Sequence, residues 1–336
     1  AWLLALYIAV AERQGVSPGA LQGTTQNDIV KEYLSRGTYI FPPRPSLKIV
    51  CDIVNYTVKH APKWNPVNVC SYHLQEAGAT PVQEVAYAIC TAIAVLDTVR
   101  DTKFLEPGEF SQAVGRISFF VNSGVRFIEE VCKLRAFAEL WDKVASERYA
   151  VADAKMRRFR YGVQVNSLGL TEAQPENNIP RIVLEALGVT LSKNARCRAL
   201  QLPAWNEALG LPRPWDQQWS LRIQQILANE TDILEYDDIF DGSKVVEAKT
   251  REIRDAAWAE VGTVQDMGGA IAALSYIKRR LVNSHTERVR EINTGERVIV
   301  GVNQFTETTE SPLYSGNSSA ILKIDETAER DQIKRL

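Results

Sequence analysis

Along most of this chain, short apolar runs alternate with longer segments whose apolar residues recur every three or four positions. Runs of four to eight apolar residues bounded by turn signals read as buried strands, and the 3.6-residue period reads as helix. "ALQGTTQND" is a short strand expectation followed by the helix "PSLKIVCDIVNYTVKHA". The strand "NPVNVCSYH" precedes the helix "PVQEVAYAICTAIAVLDTVRD", and "GRISFFVN" precedes "GVRFIEEVCKLRAFAELWDKVASERY". "FRYGVQVNS" then "ENNIPRIVLEALGVTLS", and "RCRALQLPAW" then "PWDQQWSLRIQQILANET", continue the series. "DILEYDD" followed by "VVEAKTREIRDAAWAEVGTVQDMG" closes it. Six strand–helix units after an opening helix, "AWLLALYIAVAERQG", imply an α/β fold with parallel strand pairing.

Polar residues gather just after the strands: Gln26, Asn27 and Asp28; Tyr72 and His73; Gln164 and Asn166; Asn206 and Glu207. A (β/α)₈ barrel builds its site from those loops. An open doubly wound sheet fits the same rhythm, but no G-x-G-x-x-G follows a strand. The expectation is a TIM barrel with about six units present and two strands lying upstream, so that the chain is a piece of a longer one. From about Tyr276 the pattern changes to a charged helix, a turn, a short strand and a polar stretch, "TETTESPLYSGNSSA". This divides the chain into residues 1–275, a partial barrel, and 276–336, a helical extension and linker.

Composition narrows the function classes. Lys and Arg total 39 and Asp and Glu 41, a net charge of −2, which gives no field for nucleic acid or an anionic membrane surface. The apolar opening turns charged at Glu12 and Arg13, too soon for a membrane span. The five cysteines are scattered and odd in number, without a CxxC. They read as reduced thiols of a cytoplasmic protein. No Cys/His spacing suits a protein-held metal.

The candidate chemistry lies at strand ends. His73 is one of three histidines. Its bland reading is a satisfied polar residue; at a strand's C-terminal end, a neutral imidazole can instead donate to a carbonyl oxygen. Tyr72 beside it is either core or a pocket wall. Residues 23–49, "GTTQNDIVKEYLSRGTYIFPPRPSLKI", form a long segment carrying Thr24, Gln26 and Arg36, and loops of that length are usually functional. Arg36 suits bidentate recognition of a carboxylate. In "GRISFF", Arg116 and Ser118 share a strand face; the arginine needs either an internal carboxylate or a ligand phosphate. Gln164 sits in mid-strand, where an unpaired amide is costly.

"GTTQNDIVKEYLSRGTYIFPPRPSLKI" and "SYHLQEAGAT" resemble the methylmalonyl-CoA mutase family of adenosylcobalamin-dependent carbon-skeleton isomerases. The resemblance runs over nearly the whole chain. "RYGVQVNSLGLTEAQPENN", "LPAWNEALGLPRPWDQQWSLRIQQ" and "EYDDIFDG" are more similar to the ethylmalonyl-CoA subgroup. The resemblance implies a barrel threaded by the pantetheine arm of coenzyme A and a cobalamin domain at its mouth. That domain's Asp-x-His-x-x-Gly motif is absent from this sequence.

Carried over residue by residue, Arg36 matches the arginine that pairs with the substrate carboxylate, and His73 the histidine at the thioester oxygen. Tyr72 matches the tyrosine pressing toward the adenosyl group. Thr24, Gln26 and Gln164 match substrate contacts, and Arg116 and Ser118 contacts to coenzyme A. Ser35, Ser167, Glu207 and Gly210 match positions facing cobalamin, with Ser167 replacing a glycine. The implied reaction is a radical shift, with ethylmalonyl-CoA giving methylsuccinyl-CoA. The alternatives are methylmalonyl-CoA/succinyl-CoA chemistry or a non-catalytic barrel subunit. An unrelated barrel lyase would instead show a catalytic lysine or metal cluster after the strands. The implied partners are an acyl-CoA, a cobalamin-binding domain or subunit and a second copy in a dimer.

Overall fold

A computed structural model describes residues 1–309, 311, 321–322 and 325–336. Its elements in chain order are α1 (Trp2–Arg13), β1 (Gly23–Thr24), α2 (Ile29–Lys31), α3 (Pro43–His60), β2 (Trp64–Asn65), β3 (Val67–Cys70), α4 (Tyr72–Glu76), α5 (Pro81–Asp101), α6 (Pro107–Arg116), β4 (Ile117–Ser123), α7 (Phe127–Lys143), β5 (Tyr161–Val165), α8 (Asn178–Thr190), β6 (Leu200–Gln201), α9 (Pro214–Asn229), α10 (Lys244–Asp266), α11 (Leu274–Thr294) and α12 (Glu326–Arg335).

All strand pairs are parallel. β1 pairs with β2, and β3, β4, β5 and β6 follow one another in chain order. Only Pro66 separates β2 from β3; proline has no N–H to give a ladder, so one strand is interrupted there. The result is an arc of five parallel strands in sequence order. The pairing continues past the named ends, with Ser71 N–H on Phe120 O and Asn166 N–H on Ser123 O. Helices α3, α5, α7 and α8 pack side by side on the outside of the arc.

The residues explain this layering. In β4, Ile117, Phe119 and Val121 are buried, while Ser118 and Phe120 face the other way and are partly open. Phe119 meets Trp141 of α7 at 4.9 Å between ring centroids, and Phe159 stacks on Phe137 at 5.1 Å. These aromatic contacts seat α7 on the sheet. Thr80 and Gln83 form a capping box with Pro81 at the first turn of α5, which fixes where that helix leaves the β3 loop. α5 is the one helix among the described residues long and apolar enough to cross a membrane, and 78% of that stretch is buried inside the fold. α1 buries Leu4, Ile8 and Ala11 against Leu21 and Ile53. All five cysteines are free thiols.

Several sequence expectations need correction. "DILEYDD" is not a strand: Ile233–Glu235 is a single 3₁₀ turn, so the described residues hold five strand–helix units rather than six. The helix after it, α10, forms as expected. Its buried stripe of Val246, Ile253, Ala257, Val261 and Val264 lies across α5 and α7. It is an outer layer over two helices, not a helix beside a sixth strand. Arg116 does not lie on β4: it is the last residue of α6, an unforeseen helix ahead of the strand. The short strand expected near Val300 is one isolated bridge, Val300 to Gln304. Most of the expected linker, residues 310 and 312–320, lies outside the described residues.

Candidate active site

Tyr72 and His73 stand where β3 gives out, but in the one-turn helix α4 rather than on the strand itself. Ser71 opens that turn, its carbonyl accepting from Leu74 and Gln75 N–H. The turn lays the two rings against each other, 3.8 Å between centroids. Phe120 of β4 meets Tyr72 edge-on at 5.5 Å. His73 is 2% exposed and its Nδ1 has no hydrogen-bond partner. Burial, reinforced by Lys31 and Arg36, holds its imidazole down at about 4. A neutral imidazole is therefore present at pH 7, the form that donates one proton without adding charge.

The loop after β1 is stitched to β2 and β3. Gln26 Nε2 donates to Cys70 Sγ at 3.2 Å, and Asn27 Nδ2 to Pro66 O at 3.0 Å. Asn65 Nδ2 donates to Thr24 Oγ1 at 2.9 Å. After α2 the chain makes a π turn, Glu32–Arg36, closed by Gly37 N–H on Glu32 O at 2.7 Å with Gly37 at φ 69°. Ser35 Oγ bonds back to Lys31 O at 2.9 Å. Arg36 ends the turn with 49% of its side chain exposed, 3.9 Å from Glu76 of α4. Arg36 thus reaches the His73 turn, but from an open rim. Burial raises the Glu76 carboxyl, and Arg36 works against that.

Ser118 lies on β4, where its Oγ accepts from Asn68 Nδ2 at 2.9 Å. Gln164 is half-buried on β5, opposite Asn122. Arg116 sits at the other end of the strands from His73. It belongs to a group that sequence reasoning missed: Arg116, Arg160 and Arg198 precede β4, β5 and β6 in turn. Burial lowers Arg160, and Arg116 and Arg198 lower it further. Arg160 donates to Gly115 O at 3.0 Å. No carboxylate pairs with any of the three among the described residues, so the internal-carboxylate reading of Arg116 is not met. Three guanidiniums without carboxylate partners make that end of the strands positive. The readable signal was the repeated arginine one to three residues ahead of each apolar run.

Ser167 opens a 3₁₀ turn after β5, Glu207 opens another after β6, and Gly210 follows at φ 141°. Glu207 is exposed, and its carboxyl is raised by desolvation and by Glu76. Glu76 and Glu207 therefore share one rim at the C-terminal ends of the strands. Beside them, Gln75 Oε1 and Asn206 Oδ1 are buried acceptors without partners. Ile321 packs over Gly210, 2.9 Å from where a Cβ would stand.

Behind this rim lies a belt of buried charge that the sequence reading also missed. Glu84 of α5 accepts from Ser71 Oγ at 2.9 Å, Asn122 N–H at 2.8 Å and Lys133 Nζ at 2.6 Å. Lys133 also donates to Asn122 O at 2.8 Å and pairs with Glu130. Glu185 of α8 is fully buried with both carboxylate oxygens unpartnered. Burial, then Glu130, push its carboxyl up to about 9. Among the described residues no group of three or more His, Cys, Asp or Glu side chains is placed to hold a metal ion.

The chain is similar to known proteins over its full length. It is 61% identical to the ethylmalonyl-CoA mutase of Methylorubrum extorquens over 337 residues, covering all of this chain and 49% of that protein. With the ethylmalonyl-CoA mutase of Cereibacter sphaeroides it shares 63% identity, covering all of this chain and 51% of that protein. With the methylmalonyl-CoA mutase of Rhizobium meliloti the identity is 36%, over 99% of this chain and 45% of the other. The chain spans about half the length of these relatives. The sequence model described as methylmalonyl-CoA mutase matches residues 1–336, and with that match running from the first residue to the last, the chain belongs to the methylmalonyl-CoA mutase family.

Proposed function

We propose that this chain is the acyl-CoA-binding portion of an adenosylcobalamin-dependent mutase that interconverts ethylmalonyl-CoA and methylsuccinyl-CoA. The observation that carries the reading is polarity along the strands. An unneutralised arginine group stands at their N-terminal ends, and a neutral histidine whose Nδ1 has no hydrogen-bond partner stands near an arginine at their C-terminal ends. β4 has seven residues, a length of about 20 Å at the rise of a strand. An extended ligand with phosphates at one end and a thioester and carboxylate at the other matches that arrangement.

In this reading Arg116, with Arg160 and Arg198, holds the coenzyme A phosphates, and Ser118 lines the path of the pantetheine arm. Thr24, Gln26 and Gln164 border the acyl group, and Arg36 grips its free carboxylate. His73 donates to the thioester oxygen and keeps that group oriented while it changes carbon. Tyr72, wedged between His73 and Phe120, closes the pocket above it and excludes water. Adenosylcobalamin, when bound, supplies the radical that makes the rearrangement possible. The residues present fit such a group: Gln75 Oε1 and Asn206 Oδ1 are buried acceptors without donors, and a corrin ring rimmed with amides brings donors. Ser35, Ser167, Glu207 and Gly210 would face it. Completion of an eight-stranded barrel, the division at residues 275 and 276, a separate cobalamin-binding domain, a dimer and a cytoplasmic site belong to the same reading.

The preference for ethylmalonyl-CoA rests on the subgroup. Identity to two ethylmalonyl-CoA mutases is 61% and 63%, against 36% for a methylmalonyl-CoA mutase. A competition assay with the full-length enzyme tests it, comparing ethylmalonyl-, methylmalonyl- and isobutyryl-CoA. One methylene discriminates by about 1–3 kcal/mol. Because half of the Arg36 side chain is exposed, loss of the carboxylate should cost about 1.5–3 kcal/mol, the range for a charged hydrogen bond. A preference for methylmalonyl-CoA overturns the subgroup assignment; a preference for isobutyryl-CoA overturns the role of Arg36.

A further inference from the structure

We infer that Asp28 is a positioning residue that sets the distance between the two ends of the acyl site, by holding the Arg36 segment and the His73 strand with one buried carboxylate. This rests on the functional reading above. Asp28 is 4% exposed. Its Oδ1 accepts from Lys31 N–H at 3.0 Å and so caps α2. Its Oδ2 accepts from Cys70 N–H at 3.0 Å, at the last residue of β3. The helical stretch it caps runs without a break through the π turn to Arg36. Cys70 is two residues ahead of Tyr72 and three ahead of His73. One side chain thus fixes the near end of the rod whose far end is Arg36, and the strand end from which the His73 turn departs.

The chemistry requires a carboxylate. Both partners are backbone N–H donors, and only a carboxylate offers two acceptors and no donor of its own. An asparagine would turn an NH₂ group toward one of the two N–H groups. Burial raises the Asp28 carboxyl to about 6, against the pull of those two hydrogen bonds, so the ionised form is kept at neutral pH. Rearrangement needs the carboxylate and the thioester of one substrate held at a set separation, and misplacement by about an ångström is costly in rate.

The test uses the full-length enzyme with Asp28→Asn and Asp28→Ser. The serine keeps a cap for α2 but is too short to reach Cys70. In both variants kcat should fall about 10- to 100-fold, the value of a hydrogen bond to a charged group at 1.36 kcal/mol per decade. Affinity for coenzyme A lacking an acyl group should stay within about twofold, as for a distant independent site. On an Arg36→Ala background, Asp28→Ser should cost less than about threefold further, because the two changes break one unit. An equal loss on both backgrounds, or a change in coenzyme A affinity matching the loss of rate, overturns the inference. Hydrogen exchange on the unaltered enzyme keeps the question decidable should the variants not fold. The Cys70 amide should be protected like Val69, and exchange at the rate of an open loop overturns the bridge. Turnover by the unaltered enzyme reports on the functional reading separately. An enzyme inactive on both dicarboxylic acyl-CoAs overturns both, and an active enzyme indifferent to Asp28 overturns only the inference.

Discussion

Replacing Lys133 by methionine should be among the most damaging single changes in this fold, although Lys133 touches no proposed ligand. Its side chain is 1% exposed, and those of Glu84 and Glu130 are 1% and 8% exposed. The ammonium donates to Glu84 Oε2 at 2.6 Å and Asn122 O at 2.8 Å, and pairs with Glu130. Burial alone would lower its pKa; Glu130 and Glu84 overcome that and raise it. Methionine keeps most of the volume and removes the cation that pairs with both buried carboxylates. Breaking a buried pair by removing one partner costs about 3–5 kcal/mol, because an uncompensated charge stays behind. Glu84 keeps Ser71 Oγ and the Asn122 N–H, which favours the lower half of that range. Urea unfolding of the full-length protein, followed through exchange of the Asn122 amide, measures the loss. A companion variant with Glu84→Gln and Glu130→Gln added should be more stable than Lys133→Met alone, since neutral groups carry no unpaired charge. A Lys133→Met protein within about 1 kcal/mol of the parent, the value of a surface pair, would refute the reasoning.

In the full-length enzyme, His73→Ala should lower kcat by about 30- to 1000-fold, the equivalent of 2–4 kcal/mol for one donor to a carbonyl oxygen. Tyr72→Phe should be milder because its ring contacts survive; steady-state kinetics decide, and an unchanged kcat in His73→Ala removes the proposed role. Glu185→Gln should stabilise the fold increasingly as pH rises. The folded carboxyl, near 9, holds a proton that the unfolded chain releases near 4.5, so stability falls as pH climbs between those values, by about 1.4 kcal/mol per pH unit. Paired urea titrations at pH 5 and pH 8 check it, and an equal difference at both would show that Glu185 is ionised.

What was legible in the sequence followed burial. α3, α5, α7, α8 and α9 announce themselves by apolar period, and β3, β4 and β5 by short, mostly apolar runs interrupted by Asn68, Ser118 and Gln164. "DILEYDD" misled because its Ile-Leu pair has the composition of a strand, while the four acidic residues and a tyrosine around it leave little to bury. Tyr72 and His73 were legible as a strand end, but not as a one-turn helix, since five residues carry no period. Arg116 was set on the strand because alternation with Ser118 and Phe120 persists back through the last residue of α6. The buried belt was invisible because Glu84, Glu130, Lys133 and Glu185 look like ordinary solvent-facing charges on helices. The available signal was position: Glu84 lies between Val82 and Val85, on a helix apolar nearly all round. Glu130 and Lys133 share a face with Leu134 and Phe137, which pack inward.

The π turn at Glu32–Arg36 has a consequence for how such a site can diverge. A π turn carries one residue more than the α-helix it interrupts. Deleting one residue between Glu32 and Arg36 would restore α geometry and swing whatever follows by about 100° around the axis. The guanidinium would then point away from Glu76 and the His73 turn, with the α2 cap and the strand end untouched. On the proposed role of Arg36, which end-group the pocket accepts is thus open to a change in the number of residues as well as in their kind, with the buried Tyr33 and Leu34 of the same turn limiting which single codon can be lost.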